Sequence, residues 1–114
     1  MKGEEILSGL ENLPPDPDYD GTINEIRNII GGLDKLNASE KAKVMMYCIR
    51  TSLAMKLYLD EKLTQERFTD ELARRYPEYD LYRSGKANGR KIRIAKEKIL
   101  EELNYVEERK EKGR

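Results

Sequence analysis

Apolar residues recur at helical spacing along most of the chain. Ile23, Ile26, Ile30 and Leu33 form one stripe, and Phe68, Leu72 and Tyr76 form another. A third, Ile92, Ala95, Ile99, Leu103 and Val106, falls within about 80° of one face at about 3.6 residues per turn. No segment keeps the strict alternation of a half-buried strand, and residues 90–95, the nearest to it, belong to the third stripe. The pattern predicts an all-α fold, a single-domain bundle of four to five helices spanning residues 1–114.

The boundaries come from capping and breaking residues. Residues 4–13 place Ile6, Leu10 and Leu13 on one face of a short helix within residues 1–13, which Pro14-Pro15 ends. An acidic loop, 14–21, follows. Thr22 with Glu25 has the form of a capping box, in which each side chain satisfies a free backbone N–H of the other. The helix it opens should end at Gly31-Gly32. Asn37 with Glu40 signals the next start, and the helix from about 38 to 62 is unusual. Twelve of the sixteen residues from 44 to 59 are apolar. A helix apolar nearly all round must be covered nearly all round, either at the centre of the bundle, the preferred reading, or in an oligomer interface. Arg50 and Lys56 interrupt it, with stems long enough to carry their charge to water. Thr64 caps a helix over 65–76 that Pro77 stops, and 77–85 reads as a linker. The last helix should run from about 87 to 110, with the charged tail 107–114 frayed.

Composition narrows this picture. Charged residues make up 39% of the chain and apolar ones 38%, enough for one core. The lone cysteine, Cys48, excludes an internal disulfide and, inside the apolar run 44–49, reads as a small buried hydrophobe. That fits a reducing, cytoplasmic setting. The same run is the longest uninterrupted one, far short of the about 20 residues that cross a membrane, so no membrane partner is expected. Histidine is absent and Gln65 is the only glutamine, a composition like that of hyperthermophile proteins.

Net charge is zero, but the charge is sorted. Residues 83–98 carry seven positive charges and one negative, whereas 1–34 carry eight carboxylates against Lys2 and Arg27. Arg83 and Lys86 lie in the expected loop, and Arg90, Lys91, Arg93 and Lys98 lie on the polar flanks of the last helix, with Lys96 near the edge of its apolar face. Cations around a helix N-terminus suit phosphate, because free N–H groups add to the side-chain charge. Gly85 and Gly89 would let a backbone come close. Tyr79 and Tyr82 precede the segment and would serve as stacking platforms for single-stranded bases. Against this, Arg93 can pair with Glu97 and Lys98 with Glu102 at i,i+4, and the acidic N-terminal third could cover the rest. Ile94, about 160° from Ile92 around the helix, falls among the charges.

Two further motifs bear resemblances. Leu63-Thr64-Gln65-Glu66 with Leu72-Ala73 resembles the positioning helix of repressor-type helix-turn-helix proteins. That resemblance implies a recognition helix after a short turn, where this sequence has the linker 77–85. Asp16, Asp18 and Asp20 with Gly21 and Ile23 are similar to the first eight positions of an EF-hand or dockerin calcium loop. The closing carboxylate is replaced by Arg27, and the alternative role is capping of the following helix by Asp20 and Thr22. Without histidine, and with no activating partner for Cys48, no enzyme, cofactor or metal centre is expected. The preferred expectation is a non-enzymatic binding module. Its segment 83–98 would contact an acidic partner, DNA or RNA foremost, through Arg83, Lys86, Arg90, Lys91, Arg93, Tyr79 and Tyr82. The alternative is a protein-interaction or subunit module. In that case the Met-rich helix forms a homo-oligomer through Met46 and Met55, and the sorted charges pair within or between chains.

Overall fold

Asp18 opens the first helix of the computed structural model, which describes residues 18–112. The expected helix at 1–13 and the loop residues 14–17 lie outside the described residues. Helix α1 spans Tyr19–Gly31 with Asp18 as its cap, four residues before the expected cap Thr22. The Asp18 carboxylate accepts from Gly21 N at 2.9 Å, while Thr22 Oγ1 turns back to donate to Asp18 O at 3.1 Å. Burial of the Tyr19 ring fixes the earlier start. A Cβ at Gly21 would displace the capping Asp18 carboxylate, so glycine leaves room for the cap. Gly32 closes α1, and a 3₁₀ turn, Leu33–Lys35, leads on.

Helix α2, Ala38–Leu59, begins with the anticipated capping box: Glu40 N donates to Asn37 Oδ1 at 2.8 Å and Asn37 N to Glu40 Oε1 at 3.0 Å. It ends at Leu59 rather than near 62, where Glu61 takes a left-handed conformation (φ 59°) and Lys62 N reaches back to Leu57 O. Helix α3, Gln65–Arg75, is capped by Thr64, whose hydroxyl accepts from Arg67 N at 3.0 Å. The expected linker contains a helix, α4, Tyr79–Arg83, anchored by the buried Tyr82 ring. Gly85 (φ 79°) then reverses the chain beside Ser39 of α2. Helix α5, Gly89–Lys112, starts on Asn88, which accepts from Lys91 N at 3.0 Å.

The described residues form an all-helical bundle without strands. Helix α2 is its axis and packs against all four other helices, most extensively α5. Met45, Cys48, Ile49, Leu53, Ala54 and Met55 are at most 2% exposed, so the apolar girth of α2 is covered from within. This corrects the expected homo-oligomer face: Met55 is inside the core, and Met46 is half-buried against it. The stripe Ile92, Ala95, Ile99, Leu103 and Val106 is buried throughout. Helix α5 carries this stripe and extends beyond Val106. The helix continues to Lys112, and Glu107, Arg109 and Lys110 reach carriers of opposite charge on other elements.

Candidate functional site

The bundle sorts the basic residues into two groups. The first is held. Lys91 pairs with Glu78, and its carbonyl accepts the Tyr82 hydroxyl at 2.7 Å. Arg83 pairs with Asp80 one turn earlier at 3.0 Å. Lys98 donates to Arg75 O and lies over the Tyr76 ring rather than pairing with Glu102.

The second group is unpaired. Lys86, Arg90, Arg93 and Lys96 form no ion pair among the described residues, and Arg93 does not close on Glu97. Lys41, on the first turns of α2, belongs with them. Lys41, Arg93 and Lys96 line an open groove of about 450 Å³. The end of α1, the 3₁₀ turn, the start of α2 and the N-terminal half of α5 bound this groove. Ile30, Leu33 and Ile92 supply apolar lining, and Asp34 stands among the three cations without an ion pair to any of them.

Neither tyrosine is presented as a stacking platform. Tyr82 is 5% exposed and its ring is part of the core, with burial pushing its hydroxyl pKa up. Tyr79 is half-buried, and its hydroxyl accepts from Arg50 Nη1 at 3.1 Å. The Arg50 guanidinium lies between the Tyr79 and Phe68 rings, 5.9 and 4.9 Å from their centroids. Gly85 is likewise occupied with the turn against Ser39, whereas a Cβ at Gly89 would meet no atom within 4 Å.

The acidic N-terminal third does not cover this surface with its described residues. Asp18 caps α1, Asp20 pairs with Lys110 at 2.5 Å, and Glu25 accepts from Tyr47 Oη at 3.1 Å. Only Asp34 reaches the basic surface, as part of the groove wall. Those contacts also occupy Asp18 and Asp20, two ligands of the calcium-loop pattern; Asp16 lies outside the described residues. No group of three metal-ligating side chains occurs among the described residues.

Sequence reasoning missed a second cluster. Glu102, 2% exposed, accepts from Ser52 Oγ at 2.8 Å, Tyr76 Oη at 3.2 Å and Arg75 Nε at 2.6 Å. Burial pushes its carboxyl above the ordinary glutamate range, against the pull of Ser52 and Arg75. The available signal was position: Glu102 stands three residues after Ile99 and four before Val106, on the buried face. Ser52 and Tyr76 are as deeply buried as Glu102, Arg75 is partly exposed, and the cluster ties α3 and α5 to α2. Cys48 is buried too, its thiol pushed up to about 12, which leaves it protonated and unreactive.

Helix α4 follows α3 after three residues, the turn length of a helix-turn-helix. It is only five residues long and displays Glu78 and Asp80 at its start, so it supplies no cationic reading helix. Among the described residues, no helix is long and apolar enough to cross a membrane. No family model, no curated protein and no solved structure matches the chain.

Proposed function

We propose that the chain is a non-enzymatic binding module whose cationic surface at the N-terminal end of α5 takes an acidic partner, with DNA or RNA the partner of choice. The observation that carries this reading is the set of five cations lacking carboxylate partners: Lys41, Lys86, Arg90, Arg93 and Lys96. Unscreened like charges repel and favour binding of an anion, whose counterions are released to solution. The chemistry shifts from the expected set. Arg90, Arg93 and Lys86 remain contacts to phosphate, Lys41 and Lys96 join them, Lys91 and Arg83 contribute less because each has a partner, and Tyr79 and Tyr82 act as structure. The buried, protonated Cys48 fits a reducing cytoplasm as the working environment.

Fluorescence anisotropy with labelled single- and double-stranded oligonucleotides at low salt tests the reading. Arg90→Glu with Arg93→Glu is expected to weaken binding by about 10-fold or more, because two contacts become repulsive. Lys62→Glu, an equally exposed charge reversal after α2, should change it by less than about 2-fold. Absence of binding to any of these nucleic acids, or equal losses for both variants, would overturn the reading.

A further inference from the structure

Resting on that reading, we infer that the groove beside α5 takes one nucleotide of a single strand, with a base bearing an exocyclic amino group. A surface for a bare polyanion needs cations and nothing else. This groove has two more features. Its volume of about 450 Å³ lies within the range of small-molecule sites, roughly 300–1,000 Å³. Part of its lining is aliphatic: the edges of Ile30, Leu33 and Ile92, otherwise core residues only 6%, 6% and 8% exposed, form a narrow apolar floor.

Asp34 is the discriminating feature. A carboxylate beside Lys41, Arg93 and Lys96 opposes a ligand that is only negative. It suits a ligand that offers phosphate oxygens to the cations and a hydrogen-bond donor to the carboxylate. Asp34 forms no ion pair with the three cations, so its oxygens are open to such a donor. A carboxylate only accepts. Cytosine presents two donor hydrogens on its N4 amino group, whereas thymine presents a single N3–H flanked by two carbonyl oxygens that the carboxylate repels. In a duplex, that edge is paired and the ring is stacked, which makes a single strand the fitting form. A free nucleotide carries the same chemistry, and the test separates the two sources.

Anisotropy competition at low salt compares oligo-dC with oligo-dT of equal length, the matched duplex, and free dCMP. The two single strands carry equal charge, so the general cationic surface treats them alike. The wild-type protein is expected to prefer oligo-dC by about 5-fold or more. Asp34→Ala is expected to bring the ratio to about 1 by strengthening the oligo-dT complex and weakening the oligo-dC one. Asp34 is exposed and unpaired, so an unchanged melting curve will accompany that variant. Binding of dCMP as tight as that of oligo-dC would support the groove with free nucleotide as its source. Equal affinity for oligo-dC and oligo-dT in the wild type, or a ratio untouched by Asp34→Ala, overturns the groove inference while the polyanion reading stands. Failure of every nucleic acid to bind overturns both.

Discussion

The two halves of α5 differ less in how much charge they carry than in what that charge touches. From residue 98 onward, side chains reach other elements. Glu102 is held by Arg75, Ser52 and Tyr76. Tyr105 and Arg109 both donate to Asp60 after α2, and Glu107 meets Arg27 of α1 at 2.5 Å. Lys110 meets Asp20. In residues 89–96 only Lys91 has an ionic partner, while Arg90, Arg93 and Lys96 have none. One helix therefore has a half that holds the bundle together and a half whose cations, Lys91 apart, form no ion pair among the described residues. The contrast teaches that the zero net charge conceals a division of labour. Helix α1 meets the far half of α5 with one pair of each polarity, Asp20 on Lys110 and Arg27 on Glu107, and the near half carries the excess of cations.

The largest break in that comparison is expected at Glu102. Glu102→Ala strips Arg75, Ser52 and Tyr76 of their common acceptor and should cost about 3–5 kcal/mol in urea denaturation. Arg93→Ala, on the same helix, should stay within about 0.5 kcal/mol of wild type. Similar losses for the two would erase the distinction between the halves.

The pH dependence sharpens it next. Burial raises the Glu102 carboxyl above its unfolded value, so ionisation is less favourable in the folded state. The stability linked to this group is fully present below the unfolded value, about 4.3, and is lost as pH rises through the folded one. The stability of wild type minus that of Glu102→Gln should therefore increase as pH is lowered from neutral toward that range. A difference that falls over the same range would mean that the hydrogen bonds outweigh burial.

A smaller effect separates structure from binding within the basic region. Tyr82→Phe removes the hydrogen bond to the Lys91 carbonyl and should cost about 1 kcal/mol. Oligonucleotide affinity should be unchanged, because the ring belongs to the core. Loss of affinity with unchanged stability would mean that the Tyr82 hydroxyl contacts the nucleic acid.

What could be read from the sequence follows the range of the interactions. The stripe on α5, the Asn37 box and the coverage of α2 depend on neighbours within a turn or two, and each is as the pattern predicts. Asp18 and Thr22 are both able to cap α1, and the choice was made by burial of Tyr19, a tertiary contact no local rule contains. Helix α4 is too short to display a period. Lys98 and Glu102 satisfied the i,i+4 rule in sequence, yet each found partners on α2 or α3 and its margin instead. The candidate site was half legible. Arg90, Arg93 and Lys86 stand out in the charge run, but Lys41 and Asp34 join Arg93 and Lys96 only through folding of segments more than fifty residues apart.

The most direct test is the salt dependence of single-strand binding for wild type and for the triple variant Lys41→Ala, Arg93→Ala, Lys96→Ala. Affinity is measured between about 50 and 200 mM salt, where each phosphate contact contributes about 0.7 to the log–log slope for a single strand. The wild type should bind with a steep slope, and the variant should lose about 2 units of it with no loss of thermal stability. Identical slopes, or a wild type that binds no strand at the lowest salt, would contradict a binding role for the unpaired half of α5.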